Sequence, residues 1–284
     1  MRYTPLSAPL TLSSRRGSGF TLIELLVVVT IIVILLSLLT PALDTAIQKT
    51  ELTVCAARQR GLGEIFNQYA AEYKRKYPSG KRDSDGFEHL PFVPHNLVDY
   101  VAKVSGNNKS PAAPPSNGTT WGVVPAMLTD PSFAPSFGYK SDTYGYCIGY
   151  CYLAGHPAIE KANNGTNGYP QWESPMGLAD LGGREMTVCW NSWTLGTNPV
   201  AGVMVGQWTI VAHGPGAAAL GTEPPVGGHF YHAYSGLDPR TVGSMGGNVG
   251  FADGSVGWRD IKDMHERIAA SGSGEQNAAY PALW

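Results

Sequence analysis

Twenty consecutive residues near the start of the chain, Phe20 to Leu39 (FTLIELLVVVTIIVILLSLL), contain a single charge, Glu24. At about 1.5 Å per residue, a helix of that length is roughly 30 Å long, the thickness of a bilayer's hydrocarbon core, and the pattern predicts a membrane-spanning helix. Past Pro41 the apolar positions narrow to a stripe. Leu43 and Ile47, then Leu62, Ile65, Phe66, Tyr69 and Tyr73, recur at helical spacings, while Lys49, Arg58, Arg60, Glu64 and Glu72 take other faces. This predicts an amphipathic extension to about Tyr73, with one stripe turned to a sheet. Gly61 and Gly63 weaken its middle, and Pro78-Ser79-Gly80 ends the helical segment by about residue 77.

From Gly80 to Gly138 the chain reads mostly as loop, and Ser105 to Thr120 (SGNNKSPAAPPSNGTT) is too polar and too rich in breakers to be core. Short aromatic and β-branched runs then follow at Tyr144–Leu153, Thr187–Trp193, Val203–Ala212 and Asn248–Trp258, separated by Gly and Pro. Within the last run, Asp253-Gly254 between apolar residues is a hairpin signal, because a tight turn wants the positive φ that Gly tolerates. The expected fold is α+β: a long N-terminal helix, transmembrane and then amphipathic, packed on a small antiparallel β-sheet with long loops.

Composition narrows the classes. With 35 Gly and 21 Pro, neither a coiled coil nor a helical bundle accommodates most of the chain. Only 15% of residues are charged and the net charge is -2, so bulk electrostatics does not favour nucleic acid. Arg15 and Arg16 precede the apolar run and no acid occurs in residues 1–19. The positive-inside bias therefore leaves the N-terminus in the cytoplasm and the C-terminal mass outside it. A cleaved secretory signal is the competing reading, but the run ends in Thr40-Pro41-Ala42-Leu43-Asp44 without a small-x-small site. A carboxylate four residues into such a run costs several kcal/mol unless paired, so Glu24 needs a partner.

Gly19-Phe20-Thr21-Leu22-Ile23-Glu24-Leu25-Leu26-Val27-Val28, preceded by basic residues, resembles the N-terminus of type IV pilins and type II secretion pseudopilins. The resemblance implies that a prepilin peptidase cuts between Gly19 and Phe20 and methylates the new N-terminal Phe20. It implies three segments: a leader (1–19), a transmembrane polymerisation helix (20–42) and an extracytoplasmic pilin-like globular domain (43–284). Glu24 and Pro41 fall where pilin helices carry an acid and a helix-loosening proline. In a staggered stack of parallel helices the Phe20 amine reaches the Glu24 carboxylate of a neighbouring subunit. Leaving one member of such a buried pair alone costs about 3–5 kcal/mol, which makes Glu24 a register pin. Two further stretches, Cys55 to Pro78 and the Asp253-Gly254 hairpin, resemble the second helix half and the C-terminal Asp-Gly box of a large group of bacterial pseudopilin-like proteins. That box has His ten residues before the Asp; here the position is Gly243.

Subtracting the three arginines of residues 1–19 from the net charge of -2 leaves -5 for the processed chain, mildly acidic. The cysteines are Cys55, Cys147, Cys151 and Cys189. Cys147 and Cys151 span roughly 13 Å on an extended strand and do not join each other, so either is expected to pair with Cys189, leaving Cys55 a buried thiol. Zinc would need Cys147, Cys151 and two histidines, and the spacing lacks a second matching pair. Pseudopilins of the major type bind calcium in a C-terminal loop, which makes Asp253, Asp238 and Asp260 candidates by resemblance, against a plain turn role for Asp253. No nucleophile elbow, His-Glu-x-x-His helix or phosphate-binding loop occurs, and no cofactor is expected. The histidines are expected at the surface and most of the tryptophans in the core.

Two functions fit. One is a structural subunit of a type II secretion pseudopilus or type IV pilus-like fibre, with prepilin peptidase, the inner membrane and other pilin or pseudopilin subunits as partners and no nucleic acid. The other is a membrane-anchored extracytoplasmic binding protein or hydrolase using a pilin-type anchor.

Overall fold

Glu24, three residues after Thr21, closes the start of a 51-residue helix, α1 (Leu22–Glu72). In the computed structural model, the described residues are 20–81, 87–106, 125–131, 139–141, 145–165, 171–180, 182–194, 199–200, 203–204, 208–214, 237–270 and 281–284. They divide into two units, Met1–Ile47 and Gln48–Trp284. In the first unit α1 is apolar on every face and its large side chains are exposed, 46–81% from Phe20 to Leu39. Such a helix has no core of its own to enter. It runs on through Pro41, whose missing N–H forfeits one i→i−4 bond, while Thr40 and Thr45 donate back to the carbonyls of Leu36 and Pro41, both at 2.9 Å.

In the second unit, α1 buries Cys55, Gln59, Leu62, Gly63, Ile65, Phe66 and Ala70. The helix stops at Glu72 because Lys74 and Arg75 take left-handed φ of 53° and 61°. Among the described residues the other α-helices and strands are β1 (Phe92–Val93), α2 (His95–Ser105), β2 (Tyr139–Ser141), β3 (Gly145–Cys147), β4 (Tyr150–Tyr152), α3 (Pro157–Gly165), β5 (Glu185–Cys189) and β6 (Ser192–Thr194). They continue as β7 (Pro199–Val200), β8 (Val203–Met204), β9 (Trp208–Ile210), β10 (Gly246–Phe251), β11 (Val256–Asp260), β12 (Glu266–Ile268) and β13 (Pro281–Leu283). The arrangement is α+β, as expected.

The sheet that receives α1 has strand order β11-β10-β5-β4, with antiparallel pairing throughout. A second four-stranded sheet has the order β12-β13-β6-β9. Successive side chains of a strand point to opposite faces, and β4 and β5 show it. Tyr150, Tyr152 and Cys189 join the apolar cluster with Leu62 and Phe66, whereas Cys151 and Val188 join another with Val249, Trp190 and Trp284. Polar bonds fix the helix on the sheet: Gln59 donates to the Asn248 carbonyl at 3.1 Å, Asn248 to the Leu52 carbonyl at 3.0 Å and Asn67 to the Ala252 carbonyl at 3.1 Å.

The Asp253-Gly254 hairpin is present between β10 and β11. Phe251 N–H donates to the Ser255 carbonyl at 2.9 Å, and Gly254 sits at φ +85°. The stretch read as loop after Gly80 contains α2, whose Leu97, Val98, Tyr100 and Val101 are buried and which ends on left-handed Gly106. That correction has a plain cause: Pro94 enters the helix in extended conformation, so the breaker opens the element instead of excluding it. Trp172, Trp190 and Trp193 are core, and Trp258 is partly exposed.

Candidate functional sites

The first site is the start of α1. Thr21 donates its N–H and its hydroxyl to Glu24 Oε2 at 2.8 and 2.7 Å, and Glu24 N–H donates to Thr21 Oγ1 at 3.2 Å. This reciprocal capping box satisfies the donors that a helix start leaves open. Sequence reasoning assigned Glu24 to a neighbouring subunit's amine and missed the local role, although Thr-x-x-Glu before an apolar run carries that signal. Phe20 is 74% exposed and directly precedes the cap. Gly19 and the leader, 1–19, lie outside the described residues.

The second site is buried in the Gln48–Trp284 unit. Cys55 lies on α1, Asp130 follows the short turn Ala126–Leu128, Cys189 ends β5 and His213 follows β9. None of the four exceeds 5% exposure. Their ligand atoms all lie within 4.8 Å of one another. Cys55 Sγ is 3.0 Å from Cys189 Sγ and 3.4 Å from Asp130 Oδ2, and His213 Nε2 is 3.2 Å from Cys189 Sγ and 3.5 Å from Asp130 Oδ2. Gln59 Nε2 donates to Cys189 Sγ at 3.1 Å, and Asn248 N–H donates to the same sulfur at 3.3 Å.

Local structure explains the convergence. Arg58 clasps the Thr129 carbonyl at 2.6 Å and so holds the Asp130 segment to α1. The His213 segment is held by a bridge to Gly246 and by Ala212 N–H donating to Asn191 Oδ1 at 3.3 Å. Gly247 must lack a side chain, since a Cβ there would sit 2.6 Å from that of Cys189.

Charge in the cluster is coupled. Burial raises the Cys55 thiol, but hydrogen bonding with Cys189 and His213 and the imidazolium's attraction outweigh it and hold Cys55 at about 4. Burial likewise lowers His213, and Cys55 and Asp130 together turn the shift upward. Cys189 is pushed well up by burial and by the negative charge of its neighbours. The arrangement favours one thiolate beside an imidazolium and a carboxylate. With the imidazole and the second thiol deprotonated, the same sulfur, nitrogen and oxygen atoms form a donor set that suits a borderline-soft cation.

The sequence expectations for cysteine need correction. Cys189 stands opposite Tyr150 and Cys151 opposite Val188, so the two cysteines lie on opposite faces of the sheet and do not meet. The sulfur that approaches Cys189 is that of Cys55. Cys147 lies in β3, and its side chain is outside the described residues. Nor do the calcium candidates converge. Asp253 accepts from Ser255 N–H and hydroxyl at 2.9 and 2.7 Å, Asp238 pairs with Arg240, and Asp260 accepts from Trp258 Nε1 at 2.8 Å. His229 and His232 lie outside the described residues. His213, expected at the surface with the other histidines, is buried, and Asp130 comes from the stretch read as loop; neither carries a spacing motif that would have marked it.

Among known proteins, residues 14–40 match the family model for the prokaryotic N-terminal methylation motif. No curated protein and no solved structure matches the chain. The N-terminal segment is therefore of the prepilin type found in type IV pilin-like proteins, and this motif implies processing by prepilin peptidase. It continues into a helix long and apolar enough to cross a membrane.

Proposed function

We propose that this protein is a structural subunit of a type II secretion pseudopilus or type IV pilus-like fibre, processed at Gly19–Phe20 and polymerised through its N-terminal helix. The observation that carries the reading is the exposed apolar surface from Phe20 to Leu39, whose only charge is Glu24, inside a methylation-motif segment. In the membrane, lipid covers that surface; in a fibre, neighbouring copies of the same helix replace lipid. The protein then resides in a bacterial inner membrane with its N-terminus cytoplasmic and the Gln48–Trp284 unit outside. Its partners are prepilin peptidase and other pilin or pseudopilin subunits, and its role is structural, without catalysis or nucleic-acid binding.

After cleavage, the Phe20 amine carries a positive charge one residue before the Thr21–Glu24 cap. Glu24 Oε2 already takes both Thr21 donors, so the remaining acceptor capacity of the carboxylate is available to an amine from a neighbour. Mass spectrometry of the mature chain and cross-linking of cells test the proposal together. Methylated Phe20 with a ladder of cross-linked multimers is expected. Methylated Phe20 on a strictly monomeric chain would point to an anchored binding protein instead, and an intact Met1 would remove the processing step altogether.

A further inference from the structure

We propose that Cys55, Asp130, Cys189 and His213 bind one zinc ion in a closed, four-ligand structural site that staples α1 to the sheet. The four donors come from four segments far apart in the chain: Cys55 is 75 residues from Asp130 and 134 from Cys189. Each is buried, and each ligand atom points at the others instead of at solvent. Zinc bonds of about 2.3 Å to sulfur and about 2.0–2.2 Å to nitrogen and oxygen give a tetrahedron with edges of about 3.4–3.8 Å. The four edges given above run from 3.0 to 3.5 Å. An outward shift of a few tenths of an ångström, mostly of the two sulfurs, seats the ion.

The chemistry of the donor set selects the metal. Two thiolates and an imidazole disfavour calcium and magnesium, which want oxygen, and a complete set of four protein ligands leaves no open position for a substrate. The surroundings are those of metal-bound thiolates, because the Asn248 N–H and the Gln59 amide both donate to Cys189 Sγ, and Gln59 is itself held by Thr187 Oγ1 at 3.1 Å. A disulfide between Cys55 and Cys189 would use two of the four groups, and the Asp130–His213 pair, 3.5 Å apart, would lie beside it without being bonded to it. A divalent cation gives all four groups one role and offsets the cost of placing their negative charge away from water.

The test uses the full chain, purified in detergent without added chelator. Elemental analysis is expected to find about one zinc per chain, and replacement by cobalt(II) is expected to give the visible bands of a tetrahedral site with thiolate charge transfer. Cys189→Ser and His213→Ala should each lower zinc content at least tenfold, whereas Cys151→Ser, on the other face of the sheet, should leave it unchanged. Because a ligand variant can fail to fold, the intact mass and thiol count of the unaltered chain are measured as well. Absence of zinc together with a chain lighter by two hydrogens, a Cys55–Cys189 disulfide, would overturn the site. So would absence of zinc with both thiols free, or full zinc content in Cys189→Ser.

Discussion

At the residue scale, Glu24 performs two tasks that a single substitution confounds. It caps α1 through Thr21, and in the proposed fibre it holds a neighbour's amine. Glu24→Gln separates them, since glutamine serves a capping box and lacks the charge. If register depends on charge, Glu24→Gln and Glu24→Ala should both be cleaved and methylated yet enter fibres poorly, read by mass spectrometry and by the sheared-fibre fraction. Normal incorporation of Glu24→Gln would leave only the cap. His156 makes a second prediction. Its ring is fully buried, and burial drives it down to about 3 from an ordinary 6.5. The unfolded chain therefore binds the extra proton first. The stability tied to neutral His156 is complete above about pH 6.5 and drains as pH falls toward 3, with a limiting slope of about tenfold in the folding constant per pH unit. Glu88, 3.9 Å away, works in the other direction, because burial raises its carboxyl and protonation relieves that cost. Chemical denaturation of the protein and of His156→Phe between pH 7 and 4 isolates the histidine: the variant's stability should fall less steeply.

At the element scale, the amphipathic stripe of α1 was legible from spacing alone, and its two ends were not. Leu62, Ile65 and Phe66 are core, whereas Leu43, Ile47 and Tyr73 remain about half exposed. Periodicity reports which residues share a face but not which stretch of that face another element covers. Phe66→Ala should cost about 3–5 kcal/mol, because it empties a site closed by the edge of Tyr152 at 4.9 Å, while Leu43→Ala should stay within about 0.5 kcal/mol. Thermal melts of the detergent-solubilised chain distinguish the two. The four β runs were legible for a related reason, since short β-branched and aromatic stretches between Gly and Pro have few other uses. The register of β4 on β5 was not. Whether Cys151 or Tyr150 stands opposite Cys189 depends on a one-residue offset that no local pattern encodes, and that offset decides whether Cys151 shares the face of Cys189.

At the scale of the whole molecule, the chain carries two surfaces with opposite solvent demands. The described part of the unit Met1–Ile47, from Phe20 on, exposes its apolar side chains, and the unit Gln48–Trp284 gathers buried aromatic and aliphatic residues into its own clusters. The membrane segment was legible because bilayer thickness dictates a length of apolar chain, a one-dimensional property. The cluster of Cys55, Asp130, Cys189 and His213 was not, because it exists only where α1, a short turn and two strand ends close on one another. The burial pattern gives the last prediction. A chain beginning at Gln48 keeps every residue of both core clusters and all four residues of the cysteine, histidine and aspartate cluster, and it loses the exposed helix. It should be soluble without detergent, run as a monomer in analytical ultracentrifugation and melt in one cooperative transition near that of the full chain in detergent, but fail to enter fibres. Aggregation of this chain, or a melt lowered by more than the loss of one frayed helix end explains, would mean that the residues before Gln48 stabilise the unit that follows. The apolar helix would then be part of its core and not an element displayed for assembly.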